Sequence, residues 1–91
     1  MTGRQVFYEG RVQGVGFRYT ARYIAKGFDV LGWVRNLPDG RVELQVCGEP
    51  GEVRGFLDAI REGELNSNIK SAQELEIPPL TDAKGFEIRF L

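Results

Sequence analysis

Apolar residues along this chain switch between two spacings, and the switches lay out its elements. Residues 5 to 12 alternate, with Val6, Tyr8 and Val12 on one side, as a half-buried strand requires. Phe7 points the other way, so a neighbouring element is expected to cover part of that side. From Phe17 the period lengthens: Phe17, Ala21 and Ile24 form one stripe of a helix, flanked by Tyr19 and Tyr23. Those tyrosines read as packing residues with a wet hydroxyl. Gly27 is the expected stop, in the left-handed conformation that glycine tolerates. Alternation returns over residues 28 to 36, where Val30, Gly32 and Val34 lie opposite Leu31 and Trp33. Leu37-Pro38-Asp39-Gly40 has the chemistry of a turn, since proline presets φ and glycine supplies a positive one. Residues 41 to 47 then alternate cleanly, with Val42, Leu44 and Val46 inward and Arg41, Glu43 and Gln45 facing water.

Pro50 suits the first turn of a helix, where its missing N–H costs nothing. Val53, Phe56, Leu57 and Ile60 recur at i, i+3, i+4 and i+7 and predict that helix, closed by Gly63. Residues 64 to 70 read as an exposed loop. Ala72 to Ile77 form a weaker strand stopped by Pro78-Pro79, and Phe86, Ile88 and Phe90 alternate as a short last strand. The order is β-α-β-β-α-β with an added C-terminal strand. Two helices on one face of a mainly antiparallel sheet make a ferredoxin-like two-layer α/β sandwich. That fold hosts many functions and does not choose among them.

Composition narrows the choice. At 91 residues there is room for one core, so residues 1–91 are read as a single domain. The net charge of −1 argues against a nucleic-acid surface, which would carry a clustered basic excess. The chain has no histidine, which removes imidazole bases and His-ligated metal sites. Its one cysteine, Cys47, cannot close an internal disulfide and falls in an alternating strand, as a packed, inert thiol. No apolar run is long enough to span a membrane, and the N-terminus has no apolar leader region, so a cytoplasmic protein is expected.

Between the first strand and the first helix lies the most chemical stretch of the chain, Gly10-Arg11-Val12-Gln13-Gly14-Val15-Gly16-Phe17-Arg18. A glycine-rich turn that feeds a helix N-terminus can aim successive N–H groups at one anion, with the helix dipole behind them. Gly14 and Gly16 permit positive φ and close approach. Arg18 adds a planar cation able to grip two phosphate oxygens. A Walker A loop would need Gly-Lys-Ser/Thr where this chain has Gly16-Phe17-Arg18. A dinucleotide fingerprint would need a third glycine where Tyr19 stands. On the glycines alone, a tight turn with a solvated arginine serves equally well.

The whole string resembles the signature loop of the acylphosphatase family. A second family signature follows, as Gly32-Trp33-Val34-Arg35-Asn36, then Gly40-Arg41-Val42, then Gly48. The resemblance covers nearly the whole chain and implies the same ferredoxin-like fold. It further implies metal-independent hydrolysis of the carboxyl–phosphate bond of acyl phosphates, giving a carboxylate and inorganic phosphate. By that analogy Arg18 binds the phosphoryl group together with backbone amides of Gly14, Val15, Gly16, Phe17 and Arg18, and Asn36 orients the attacking water. No cofactor is implied.

Arg11, Arg35 and Arg41 read as strand or turn charges facing water, and Gln13 as a residue that fixes the loop. Leu37 is apolar where relatives can carry a hydroxyl. An RNA-recognition module on this fold would need exposed aromatics on a central strand. Here Gly16-Phe17-Arg18 lies in a loop, so neither a nucleic-acid nor a membrane partner is expected. Hydrogenase-maturation carbamoyltransferases carry a similar domain at their N-terminus. A chain of this length beginning at Met1 sets the expectation of a stand-alone, monomeric enzyme instead.

Overall fold

The computed structural model describes residues 1–90. Five strands and two helices follow in the order β1 (Thr2–Gly10), α1 (Phe17–Ala25), β2 (Val30–Asn36), β3 (Val42–Gly48), α2 (Pro50–Glu62), β4 (Ile69–Ile77) and β5 (Phe86–Ile88). The strands form one sheet in the order β4-β1-β3-β2-β5. β1 and β2 each pair antiparallel with β3, and β4 pairs antiparallel with β1. β5 lies parallel to β2. Two interleaved split β-α-β units with an appended edge strand result, the ferredoxin-like arrangement.

This topology has one consequence for everything below. Because β1 and β2 both oppose β3, they run parallel to each other, and β5 runs with β2. The C-terminal ends of β1, β2 and β5 therefore reach the same edge of the sheet. The residues that follow those ends are the glycine loop, Asn36 with the 37–40 turn, and Arg89-Phe90.

The core lies between the helices and one face of the sheet. Val6 and Tyr8, Val34, and Val42, Leu44 and Val46 meet Phe17 and Ala21 of α1 and Val53, Phe56, Leu57 and Ile60 of α2. Each large aliphatic or aromatic side chain buried there contributes about 1.5–3 kcal/mol before chain entropy is charged against it. Tyr8 stacks on Phe17 at 4.9 Å between ring centroids, which seats the first turn of α1 on β1. Gly32 is required by the sheet itself: a Cβ there would run into the main chain of Gln45 and Val46 on β3.

Several expectations are corrected. Glycine does not end α1 in the left-handed conformation; Lys26 caps it with helical φ, and Gly27 and Phe28 continue to bond back to Ile24 and Ala25. Tyr19 and Tyr23 are not packed inward but 59% and 72% exposed, with Arg22 and Lys26 over their rings. The segment after Gly63 is not a plain exposed loop. Leu65 is buried, and β4 begins at Ile69, because pairing with β1 continues to Gly10 past a register shift. The first strand spans Thr2–Gly10, so Val12 is buried from the loop rather than from the strand. The cover expected over Phe7 comes from Arg41, at the entry to the paired strand β3, with its guanidinium 4.7 Å from the ring centroid. The last strand stops at Ile88, which leaves Phe90 outside the alternation.

The largest correction concerns the outer face of the sheet. Glu43 faces that side, as alternation requires, yet it is buried. Gln5 donates to its carboxylate at 2.7 Å, Arg35 at 2.8 and 2.9 Å, and Gln45 at 3.2 Å. Arg35 is thus not a free water-facing charge. It also stacks on Trp33 at 5.1 Å, as does Arg89 at 5.2 Å. Stacked guanidiniums and a shared carboxylate cover the Trp33–Glu43 part of this face in place of a second layer of helices, while Leu75 on the same face stays exposed.

Burial disfavours the charged form of Glu43, but hydrogen bonds from Gln5, Arg35 and Gln45 outweigh it and hold the carboxyl below its ordinary value. A carboxyl with a depressed folded pKa adds stability above its unfolded pKa and loses that contribution as pH falls through the folded value. Glu43→Gln is therefore expected to cost about 1–2 kcal/mol at neutral pH. That deficit against the wild type should shrink as pH drops below about 4. Thermal melts of both proteins across that range check it; a deficit independent of pH would mean that Glu43 acts by shape rather than charge.

Candidate active site

At the shared edge of the sheet, the glycine loop adopts the conformation that its composition predicts. Gly14 and Gly16 have φ of 76° and 78°, while among the described residues no non-glycine residue has a positive φ. The sign of φ alternates across Gly14, Val15 and Gly16, the pattern from which backbone anion nests are made. A Cβ at either glycine would meet no neighbour, so the requirement is conformational rather than steric.

Gly16 is the N-cap of α1, and its carbonyl accepts the first helical bond from Thr20 at 2.9 Å. The amides of Phe17, Arg18 and Tyr19 thus precede the first intrahelical donor. No side chain caps them, and no acidic residue occupies the first turn of α1. Phe17 is buried, so what it can offer an anion is its N–H alone.

Arg18 and Asn36 line one cleft of about 390 Å³ with Leu37, Pro38, Arg89 and Phe90. Among the described residues Arg18 makes no ion pair; its guanidinium lies over the Phe90 ring, 5.2 Å from the centroid. Asn36 is half-buried at the end of β2, opposite Val42 of β3. Among the described residues its carboxamide makes no hydrogen bond, yet no buried side-chain polar atom lacks a partner. The amide therefore keeps contact with solvent, and it can both donate to and accept from a water molecule.

Gln13 joins the two halves. Its Nε2 donates to the carbonyls of Leu37 at 2.8 Å and Arg41 at 2.9 Å, so the glycine loop is tied across to the turn that follows Asn36. The expectation that Gln13 fixes the loop thus acquires named partners. The turn itself is closed by Gly40, at φ 95°, and by hydrogen bonds between Leu37 and Arg41 and from Gly40 to Leu37.

A larger cleft of about 520 Å³ lies between Glu9-Gly10 and Asp39-Gly40-Arg41. Its cation is committed, since Arg41 Nε donates to Asp39 at 2.8 Å. The Arg41 amide, aided by the guanidinium, holds the Asp39 carboxyl below its ordinary value. Two carboxylates with one neutralised arginine would repel a phosphate. The smaller cleft holds the Arg18 guanidinium, which makes no ion pair among the described residues, and is electrostatically the better match to an anion.

Two wall-forming segments escaped the sequence. Pro38 read only as a turn former and Leu37 only as a departure, while Phe90 alternated with Phe86 and Ile88 as though it faced inward. Sequence spacing held no sign that β5 ends at Ile88 and that Phe90 turns to the cleft.

Fold and cleft together define a small α+β sandwich with a glycine loop, a helix N-terminus and the cleft of Arg18 and Asn36 at one end of its sheet. The family model for acylphosphatase matches residues 4–88. An acylphosphatase of Rubrobacter xylanophilus is 44% identical over 85 residues, covering 93% of this chain and 77% of that one. One from Haloarcula marismortui is 42% identical over 90 residues, covering 98% and 97%. The crystal structure of acylphosphatase from Bacillus subtilis superposes with a TM-score of 0.88 at 34% identity, covering 98% and 99% of the two chains. The chain belongs to the acylphosphatase family.

Proposed function

We propose that this protein hydrolyses acyl phosphates at the cleft between the glycine loop and Asn36, without a metal ion or other cofactor. Membership of the family supports the reaction class. The observation that carries the assignment of residues is the convergence of Arg18, the uncommitted loop amides and Asn36 at one edge of the sheet.

In this reading the amides of Gly14, Val15, Gly16, Phe17 and Arg18 and the Arg18 guanidinium hold the three non-bridging phosphoryl oxygens. The carboxamide of Asn36 holds a water in line with the bond to be broken. Water adds to phosphorus as the P–O bond to the acyl oxygen breaks, and the carboxylate leaves with the bonding electron pair. One water proton passes to a phosphoryl oxygen of the substrate, since an amide cannot take it at neutral pH. The products are a carboxylate and dihydrogen phosphate.

A carboxylate is a good leaving group, so no strong base is called for; positioning and charge stabilisation carry the barrier. An asparagine also suits the place better than an aspartate, whose charge would repel the substrate. The same reading has residues 1–91 acting as one domain, a cytoplasmic monomer whose partners are an acyl phosphate and the phosphate it releases.

Purified protein is expected to hydrolyse benzoyl phosphate with release of one equivalent of inorganic phosphate, at the same rate with excess chelator present. The fall in absorbance of the aroyl phosphate, followed with and without chelator, checks both claims. Chelator-dependent loss that a divalent ion restores would overturn the metal-free mechanism, and no turnover by folded protein would overturn the assignment.

A further inference from the structure

Phosphate alone does not fill the cleft. Its volume of about 390 Å³ falls in the range of small-molecule sites. Of its lining, Arg18 and Asn36 are polar, Leu37 and Pro38 from the turn and Phe90 from beyond β5 are apolar, and Arg89 adds a second charge whose guanidinium stacks on Trp33 and faces Asp82. Phe90 is the most exposed aromatic residue among the described ones, at 74%. It is nevertheless held. The Arg89 N–H donates to Val34 at 2.9 Å, and the Arg89 guanidinium stacks on Trp33 and faces Asp82 at 3.8 Å. Its ring lies against Arg18, 5.2 Å from guanidinium carbon to centroid.

We infer that Phe90 is a specificity-determining residue: its ring is the wall on which the acyl group of the substrate rests, opposite Leu37-Pro38. This rests on the reading that Arg18 grips the phosphoryl group. An acyl group bonded to that phosphate extends from Arg18 within reach of the ring. An aromatic or other apolar acyl group gains contact there, whereas an acetyl group is too short to cover the ring. The site therefore selects acyl phosphates with extended apolar acyl groups over acetyl phosphate.

The test is the ratio of kcat/KM for benzoyl phosphate to that for acetyl phosphate, in wild type, Phe90→Ala, Phe90→Leu and Phe90→Tyr. Phe90→Ala is expected to lose about tenfold on benzoyl phosphate, chiefly in KM, and about twofold on acetyl phosphate, so the ratio drops about fivefold. Phe90→Leu should restore part of the ratio and Phe90→Tyr most of it. Since Phe90 is exposed, these variants should fold, which matching melts and unchanged far-ultraviolet spectra would verify. Equal losses on both substrates would overturn the inference, because the ring would then act only through Arg18. An unchanged ratio at full activity would overturn it as well. Wild-type protein that hydrolyses neither substrate would instead remove the underlying reading of the site.

Discussion

Replacing Arg18 with alanine is expected to lower kcat/KM for an acyl phosphate by about a thousandfold while leaving the fold intact. The magnitude follows from what the guanidinium can do at its position. Two charge-assisted hydrogen bonds to phosphoryl oxygens contribute about 2 kcal/mol each. Together they approach 4 kcal/mol, and each 1.36 kcal/mol is a factor of ten in rate. The loss should appear in both substrate binding and kcat, because charge on the equatorial oxygens is gripped in the ground state and in the transition state.

The fold should tolerate the change. Arg18 makes no ion pair among the described residues, and its stacking on Phe90 lies at the surface. Arg18→Lys should recover only part of the activity, since a point charge cannot span two oxygens as a planar fork does. Steady-state kinetics, with inhibition by inorganic phosphate measured in parallel, decides the matter. Near-normal kcat/KM in Arg18→Ala would remove Arg18 from the mechanism.

What the sequence revealed of this molecule, and what it hid, divides along a physical line. Period-two alternation around Val42, Leu44 and Val46 and the helical stripe of Val53, Phe56, Leu57 and Ile60 were legible because burial on one face dictates them directly. So was the conformation of the glycine loop, because only glycine takes positive φ at no cost at Gly14 and Gly16. Arg18 carried only an ambiguous local mark, a cation beside a glycine loop, and Asn36 none; family resemblance singled out the pair, and the topology places both on one cleft.

Features that depend on residues distant in the chain were not legible. Glu43 read as a wet charge because alternation specifies a face, not what else stands on it. Three donors from β1, β2 and β3 bury it. Leu65 gave no periodic signal, since a lone apolar residue in a polar stretch looks like any loop residue until its neighbours are known. Phe90 misled for the opposite reason. It kept the alternation of β5 after the strand had ended, and only the parallel pairing of β5 with β2 reveals that the next residues arrive at the cleft.

The same topology lets a domain this small tie the segments around its cleft to one another. Loop, turn and tail each follow a strand end, and the three strands share one direction. Gln13 locks loop to turn through two carbonyls, and Arg89 locks the tail to β2 through Val34 and Trp33. Each mobile-looking connection is thus fastened to its neighbour within a residue or two of the cleft. The proposed phosphate site would require such support, because misplacement by about 1 Å can cost a hundredfold in rate.

Asn36→Ala is expected to separate chemistry from binding. If the carboxamide positions water, its removal should lower kcat by about a hundredfold while the inhibition constant of inorganic phosphate stays within about twofold. In the proposed reading the phosphoryl grip comes from the glycine loop and Arg18, neither of which bonds to the Asn36 side chain among the described residues. The backbone of Asn36 stays paired with Val42, so the strand end should not shift. Asn36→Asp should behave differently. Its shape is conserved, but an ionised carboxylate beside bound phosphate should weaken phosphate inhibition as well as turnover, and more so as pH rises through the carboxyl pKa. The two variants together identify the role. Loss of kcat with intact phosphate binding in Asn36→Ala marks a water-positioning residue, and collapse of phosphate binding in that variant would make Asn36 part of the phosphoryl cradle instead.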